Sequence, residues 1–408
     1  MRKFLISAEQ ILIVTCLMIY SGNPLIPLLT DGFTVRDADR TIFRFFFTFT
    51  YIVSLSLIAL RWKKVTYVFS RDKFIWALIG VCALSSFWSL DPDTTARRVF
   101  ALVATTIFGL YLASRYTLKE QLNLCAYMFG ISAVMCFLFV IFLPQYGLGN
   151  DVDGAGWRGI YPSKNVLGET FVLSAAIFFF QAMTNQENRW VSWLGYVTSG
   201  VLIFFSKSTT SIVNFIIITA AVIIYYRILH LKYKVMIPIL TFISTIAIAF
   251  YTWFISEADT ILGSVGKDTT LTGRSEIWSA VLEMIAKKPL LGYGYGAFWI
   301  ENNSESTIVQ QTIQWNAPNA HNGFLDLWLE LGLLGFSVFL IGFVINLLKA
   351  IYLIRWNQTS ESLWLLVYFT VIILSNLAET TFLEQNSLQW ILYVSAILSN
   401  KLSTRANL

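Results

Sequence analysis

The residues best suited to chemistry gather around one histidine. His321 lies in the sequence Asn319-Ala-His-Asn, where a polar segment enters a long apolar run, and the chain contains only one other histidine, His230. His230 lies in a basic turn, and we interpret it as an ordinary surface residue. A neutral imidazole can accept or orient a proton near pH 7. His321 is therefore the first candidate for a general base.

A second group of candidates lies upstream of this histidine. Apolar residues recur at helical spacing over 274–288, which predicts an amphipathic helix that begins with Arg274 and ends at Pro289. Glycines follow at alternate positions, 292, 294 and 296. Such glycines can approach a phosphate closely, but neither a preceding strand nor a following helix is evident. A tight turn laid on the membrane is the alternative interpretation.

The composition indicates which elements must position these residues. Of the 408 residues, 56% are hydrophobic and only 13% are charged, and the mean hydropathy is +0.64. Soluble domains contain about 25% charged residues, so this chain lacks the polar residues that a soluble protein of its length needs. The four cysteines lie inside apolar runs, without disulfide or metal-ligand spacing. These observations exclude soluble, disordered and fibrous proteins.

The apolar runs predict an all-α polytopic membrane protein. A helix crosses a bilayer with about 20 mostly apolar residues. By this criterion we predict about 12 transmembrane helices, at residues 8–29, 41–60, 74–89, 96–114, 122–142, 165–182, 190–206, 209–228, 235–255, 323–348, 362–378 and 387–400. The predicted regions are helices one to nine in 1–255, a long loop with the amphipathic helix in 256–322, and helices ten to twelve in 323–408.

The lysines and arginines predict the orientation. With the N-terminus in the cytoplasm, most of the 29 basic residues fall in cytoplasmic loops or tails, as the positive-inside rule requires. An even number of helices returns the C-terminus to the cytoplasm. The first apolar run lacks a clear cleavage site and is interpreted as a retained signal anchor. The long loop and the glycine-rich segment 144–165 then face outward.

Four motifs in order resemble the superfamily of O-antigen ligases and Wzy-type polysaccharide polymerases. They are Arg274-x-x-x-Trp, Pro289-x-x-Gly-x-Gly, Ala320-His-Asn and Glu330-x-Gly-x-x-Gly, and they cover about 273–335. Weaker similarities upstream are Trp88-Ser-x-Asp-Pro, followed by Arg97-Arg98, and Ser163-Lys-Asn-Val-Leu-Gly. The last of these is typical of the branch that polymerises exopolysaccharides.

The resemblance implies a glycosyltransferase of the bacterial inner membrane with a periplasmic active site. Such enzymes take a glycan linked to undecaprenyl diphosphate as donor, invert the anomeric centre, and need no metal and no cofactor. Carried over by position, Arg274 matches the essential arginine of the long loop, and His321 matches the histidine of the Ala-His-Asn motif. The expected partners are the lipid-linked donor, a glycan acceptor and the bilayer, with polysaccharide export and chain-length proteins as further candidates and no nucleic acid.

The predicted chemistry requires cations near the donor, because negative charge develops on the departing lipid diphosphate. We expect Arg274 to hold this diphosphate, since a planar guanidinium can bind two phosphate oxygens at once. We expect His321 to act on the acceptor hydroxyl. Further candidates for substrate binding are Lys207, Arg158, Lys164, Asn165, Asn322 and Glu330. The alternatives are an interfacial snorkelling lysine for Lys207 and a loop-anchoring role for Glu330.

The activity itself has alternatives. Ligases of the superfamily carry an arginine in a Ser-x-Ser-Arg-Thr pattern after the seventh helix, where this chain has Thr209 in Ser206-Lys-Ser-Thr-Thr. This departure favours a polymerase over an O-antigen ligase that transfers glycan to lipid A-core. A transporter or lipid-glycan flippase is disfavoured because most ionisable residues lie at the outward boundary and not at the midplane.

Three Asp-x-Asp pairs resemble the metal and nucleotide-diphosphate ligands of other glycosyltransferases. All three lie in predicted outward turns without a surrounding nucleotide-binding domain, and we predict no metal site there. We expect Asp93, in one of these pairs, to cap the fourth helix, and Arg97 and Arg98 to contact lipid headgroups.

Overall fold

The computed structural model describes residues 2–22, 24–25, 28, 40–59, 61–149, 156–184, 188–228, 272–300, 303–357 and 360–399, together with a few positions between 234 and 249. Within these ranges the chain is helical, apart from turns and one isolated antiparallel bridge between Leu148 and Trp157. The helices of eight or more residues are α1 (Arg2–Ile19), α2 (Arg40–Ala59), α3 (Trp62–Phe69), α4 (Lys73–Leu84), α5 (Pro92–Arg115), α6 (Leu118–Phe142), α7 (Lys164–Thr184), α8 (Arg189–Ser206), α9 (Thr209–Ile228), α10 (Thr272–Lys287), α11 (Ser304–Ile313), α12 (Gly323–Asn357), α13 (Ser360–Ala378) and α14 (Leu388–Ser399). A 3-10 turn at Ser85–Phe87 and a single helical turn at Pro144–Gly147 are shorter.

Five of the described helices are long and apolar enough to cross a membrane, namely α5, α6, α7, α9 and α12. Helices α2 and α3 would add a sixth crossing as one bent pair, with an angle of 100° between them. Helices α1, α4, α13 and α14 contain shorter apolar stretches. The prediction of an all-helical, multi-pass membrane protein is confirmed. The count of about 12 stays a prediction, and most of the ninth predicted helix, 235–255, lies outside the described residues.

Two local predictions are wrong. The first helix ends at Ile19 and does not continue to residue 29, because Gly22 turns the backbone at φ +107° against Val166 of α7. The fourth helix is capped by Asp91 instead of Asp93. The Asp91 carboxylate accepts from the backbone N–H and the hydroxyl of Thr94, and these bonds hold the pKa of Asp91 below its ordinary value.

The helices pack into one large apolar core. Helix α7 lies against both α8 and α9, while α12 packs on α4 and α13. The last helix, α14, packs along α5 and is almost entirely buried. Neighbours in space are therefore often far apart in sequence, and α13 and α14 bring the end of the described chain to the centre of the fold.

The segment 272–320 forms a small unit with its own core. The predicted amphipathic helix is confirmed as α10, and its buried residues Ile277, Val281 and Met284 pack in one cluster with Tyr293 and Phe298. Helix α11, which we did not predict, adds its buried apolar side to this cluster. Leu329 of α12 belongs to the same cluster, so the unit is seated on the start of α12.

The glycine motif packs into a break in α12. Gly332 interrupts the helix with φ +63° and ψ −169°. The Pro289 and Leu290 carbonyls accept from the backbone N–H groups of Leu333 and Leu334, at 2.8 and 3.1 Å. In return, the Tyr293 and Gly294 N–H groups donate to the Leu329 and Glu330 carbonyls. The alternating glycines thus permit backbone-to-backbone contact with α12, which neither sequence interpretation had included.

Candidate active site

The Glu379 carboxylate contacts both of the residues that the sequence predicts to be catalytic. One carboxylate oxygen, Oε2, lies 2.8 Å from Nδ1 of His321, and the other, Oε1, lies 3.4 Å from Nη2 of Arg274. The three side chains are only 13–21% exposed. Arg274 begins α10, His321 precedes α12, and Glu379 follows α13, so three separate elements meet at one carboxylate.

The backbone around His321 is fixed by local hydrogen bonds. His321 adopts a left-handed conformation, with φ +49°, and its N–H donates to the side-chain oxygen of Asn319 at 2.9 Å. The imidazole ring lies against the Trp315 indole, with 5.9 Å between the ring centroids. Asn322 caps α12, since its side-chain oxygen accepts from the N–H groups of Phe324 and Leu325. The ring is thereby held in one orientation at the start of α12.

Asp326 ties the histidine segment to the segment that carries Glu379. Its carboxylate accepts from the Ala320 N–H, from the Trp299 indole N–H at 2.7 Å, and from the Thr380 hydroxyl. Ala320 directly precedes His321, and Thr380 directly follows Glu379. This buried acid therefore sets the spacing between the imidazole and the carboxylate without contacting either of them in these bonds.

A close contact between α12 and α13 completes this arrangement. The Gly323 N–H donates to the Glu379 carbonyl at 3.2 Å. The side-chain oxygen of Asn376 accepts from the N–H groups of Thr381 and Phe382, which shapes the chain after Glu379. A Cβ atom at Gly323 would lie 2.0 Å from that same oxygen. Only glycine fits at residue 323 without displacing the loop.

The geometry favours proton transfer at the outer nitrogen of the imidazole. With a carboxylate beside Nδ1, the neutral ring carries its proton on Nδ1, and Nε2 is left as the acceptor. The carboxylate also stabilises the imidazolium that forms when Nε2 takes a proton. Arg274 places a permanent positive charge on the other oxygen of the same carboxylate. The arrangement can thus combine a base with a cation for an anionic group.

A polar recess opens beside Glu379, between α7, α9 and α13. Hydroxyl, amide and carboxylate groups form most of its wall, including Asn165, Glu169, Ser208, Asn214, Ser375 and Glu379. Gln389 of α14 donates to the Glu169 carboxylate at 2.9 Å and so holds it against the recess. Of the predicted substrate-binding residues, Asn165 is the one that shares this wall with Glu379.

The other predicted residues occupy separate positions. Arg158 donates to the carbonyls of Tyr146 and Gln145, and Lys164 begins α7 beside Gly156. Lys207 ends α8 in a left-handed conformation and is exposed, one residue before Ser208 of the recess. Their roles toward a substrate, like those of Asn322 and Glu330, stay predictions.

The guanidinium of Arg98 lies close enough to two carboxylates, those of Glu330 and Glu384, to act on them electrostatically. The Arg98 side chain packs on the face of Gly296, and its charge acts on both carboxylates. Glu384 is accessible, yet the surrounding protein and the charge of Glu379 raise its pKa to about 7.

The two neighbouring arginines, Arg97 and Arg98, differ in their surroundings. Arg97 is exposed and donates a hydrogen bond to the Thr94 hydroxyl. Arg98 therefore lies among protein groups, and the contact with lipid headgroups stays a prediction for both arginines.

Sequence reasoning missed Glu379, Asp326 and Asn376. The available signal was the polar run 379–387, which separates the last two apolar stretches and contains two glutamates. In a chain with so few charges, an acidic residue at the end of an apolar helix is a candidate by that position alone.

Two comparisons relate this chain to known proteins. The O-Antigen ligase family profile matches residues 194–340. The chain is also 26% identical over 294 residues to the Exopolysaccharide production protein ExoQ of Rhizobium meliloti (strain 1021), an alignment that covers 69% of this chain and 66% of that protein. The chain thus spans slightly less than two thirds of the length of this relative. The resemblance that the motifs indicate is confirmed.

Proposed function

We propose that this multi-pass membrane protein, similar to O-antigen ligases and to an exopolysaccharide production protein, is a polysaccharide polymerase of the inner membrane. In this proposal it joins oligosaccharide repeat units that are carried on undecaprenyl diphosphate, at the periplasmic face. The reaction inverts the anomeric centre and uses no metal. The observation that carries the proposal is the Glu379 carboxylate that bridges Arg274 and His321.

The proposed step is a single displacement. Nε2 of His321 removes the proton from an acceptor hydroxyl as its oxygen forms a bond to the anomeric carbon of the donor. The bond between that carbon and the diphosphate oxygen breaks, and its electron pair leaves with the lipid diphosphate. Attack from the side opposite the leaving group inverts the configuration.

Arg274 and Glu379 stabilise the two charges that this step creates. Arg274 neutralises the developing charge on the diphosphate, since a guanidinium that contacts Glu379 through one nitrogen, at 3.4 Å, has further N–H groups that can donate to phosphate oxygens. Glu379 stabilises the imidazolium that His321 becomes. We infer that Glu379 is a positioning residue, because it acts through Arg274 and His321.

The proposal is tested with the full chain reconstituted in proteoliposomes with purified lipid-linked repeat units. Wild-type protein is expected to form new glycosidic bonds, visible as a ladder of longer glycans on a gel. Glu379→Gln keeps the side-chain size but removes the charge, and we expect the rate to fall at least about 100-fold. Glu283→Gln, which changes an exposed glutamate of α10, is the matched control and is expected to retain the activity.

Two outcomes would contradict the proposal. Full activity of Glu379→Gln at normal protein levels would remove the carboxylate from the mechanism. Movement of the lipid-linked units across the bilayer without new bonds would identify a flippase.

A second candidate, O-antigen ligase, is favoured by the family profile that matches residues 194–340. In cells, loss of a ligase leaves long polymer that does not reach its lipid acceptor, whereas loss of a polymerase leaves single repeat units. Thr209, which stands at the position of the second ligase arginine, favours the polymerase.

A further inference from the structure

One buried amide in the polar recess has an oxygen without a partner. Asn214 of α9 is only 4% exposed, and its side-chain oxygen makes no hydrogen bond to any residue that the structure describes. The residue lines the recess beside Glu379. A buried acceptor without a donor destabilises a folded protein, and most buried polar atoms are therefore paired. Because Asn214 lines a recess, a hydrogen-bond donor that enters the recess can supply the missing bond.

The other groups in the recess indicate what kind of ligand this is. Three helices contribute polar side chains at helical spacing: Asn165 and Glu169 on α7, Ser211 and Asn214 on α9, and Ser375, one turn before Glu379, on α13. The lining contains hydroxyls, amides and two carboxylates but neither lysine nor arginine. The described lining thus offers no cation for a phosphate, whereas its carboxyl, amide and hydroxyl oxygens accept hydrogen bonds from hydroxyl groups.

We propose that this recess binds the hydroxyl-bearing edge of the acceptor sugar, and that Asn214 accepts a hydrogen bond from one of its hydroxyls. The inference rests on the proposed function and assigns the two substrates to different sides of Glu379. The lipid diphosphate lies on the side of Arg274, and the acceptor sugar lies in the recess. Glu379 belongs to the recess wall and also contacts His321, so the recess adjoins the histidine through this one carboxylate.

The test separates ligand binding from folding. The full chain in proteoliposomes is supplied with the lipid-linked repeat unit as donor and with the repeat-unit oligosaccharide, released from its lipid by mild acid, as acceptor. In Asn214→Leu we expect the KM for this oligosaccharide to rise about three- to tenfold, as for the loss of one neutral hydrogen bond. The KM for the donor and the kcat are expected to change less than twofold.

The Tm measured without glycan distinguishes a binding role of Asn214 from a structural role, because loss of a structural hydrogen bond would lower the Tm. Because the Asn214 oxygen has no partner in the empty protein, Asn214→Leu is expected to keep or raise the Tm. The matched control is Asn123→Leu in α6, which removes an oxygen that accepts from Gln181 at 3.0 Å. This control is expected to lower the Tm and to leave the KM for the acceptor unchanged.

The inference is overturned if Asn214→Leu leaves the acceptor KM unchanged, or if the donor KM rises instead. The same assay is run with choline chloride as the only added salt and again with sodium or potassium chloride in its place. The inference is also overturned if sodium or potassium activates the wild type but not the variant, since the recess would then be a cation site. Each of these results is obtained with a wild type that forms glycosidic bonds. A wild type that forms none contradicts the proposed function itself.

Discussion

Glu379 has a different consequence for each of its two partners. For His321 it fixes which nitrogen carries the proton, and for Arg274 it neutralises part of the charge while the site is empty. Because the carboxylate compensates its charge, an arginine can occupy a partly buried site at a lower cost in stability. Under the proposed function, the incoming diphosphate interacts with the same guanidinium as Glu379, and donor binding is thereby coupled to the state of the histidine.

The sequence alone identifies two of the three residues in this arrangement. Arg274 and His321 stand in recognisable motifs, and rare residue types mark them. Glu379 lies 58 residues from His321 and 105 from Arg274, and nothing in the local pattern specifies that contact. Its position depends on the way α13 packs beside α12, which a periodicity of apolar residues does not encode.

The raised pKa of Glu384 makes stability depend on pH. An unfolded glutamate titrates near 4.5, whereas Glu384 in the folded protein titrates at about 7. Between these values the folded state holds the extra proton, so stability falls as the pH rises through this window and is constant above it. In thermal unfolding, Glu384→Gln should gain stability over wild type at pH 8 relative to pH 5. A gain that is equal at the two pH values would show that Glu384 has an ordinary pKa.

At the scale of elements, the fold depends on places where backbones approach closely. The break at Gly332 and the glycines after Pro289 let two segments exchange hydrogen bonds, and Gly323 lets α12 contact Asn376. Apolar periodicity predicts most helices to within a few residues. It misses α11, whose ten residues are mostly polar, and the end of α1, where a turn follows within an apolar run.

Gly323→Ala tests the contact between α12 and α13. The new Cβ would clash with the side-chain oxygen of Asn376 and push away the loop that carries Glu379. We expect a loss of about 1–3 kcal/mol in stability, as for other overpacked sites, and a larger loss of polymerising activity. Both are measured in proteoliposomes, by thermal unfolding and by the glycan ladder.

The matched control is Gly130→Ala in α6, where nothing lies within 4 Å of the new Cβ. Alanine is favoured over glycine inside a helix by about 1 kcal/mol, so this variant should be at least as stable as wild type. If Gly323→Ala behaved like Gly130→Ala, the close contact would have no role in holding Glu379.

At the scale of the whole molecule, α7, α9, α10, α12 and α13 each contribute polar groups to one region around Glu379, and a large apolar core joins the helices. The predicted orientation places this region outside the cell membrane. Cys16, Cys82, Cys125 and Cys136 are all buried, so wild-type protein should resist a membrane-impermeant maleimide. This allows single cysteines to report the orientation.

We choose two exposed positions for maleimide labelling in cells whose outer membrane has been removed and whose inner membrane is intact. Glu283→Cys on α10 should react at once, and Lys63→Cys on α3 only after the inner membrane is permeabilised. The reverse pattern would invert the topology and place the candidate active site in the cytoplasm.

The position of Glu379 in the chain also has a consequence for biosynthesis. The ribosome makes Arg274 and His321 well before Glu379. The contacts of Asp326 with Thr380 and of Gly323 with Asn376 also form only after the later residue of each pair has been synthesised. A nascent chain whose last helical hairpin is still in the ribosome holds the arginine and the histidine without the carboxylate that aligns them. Under the proposed function, catalytic competence therefore arises only after α13 has entered the bundle.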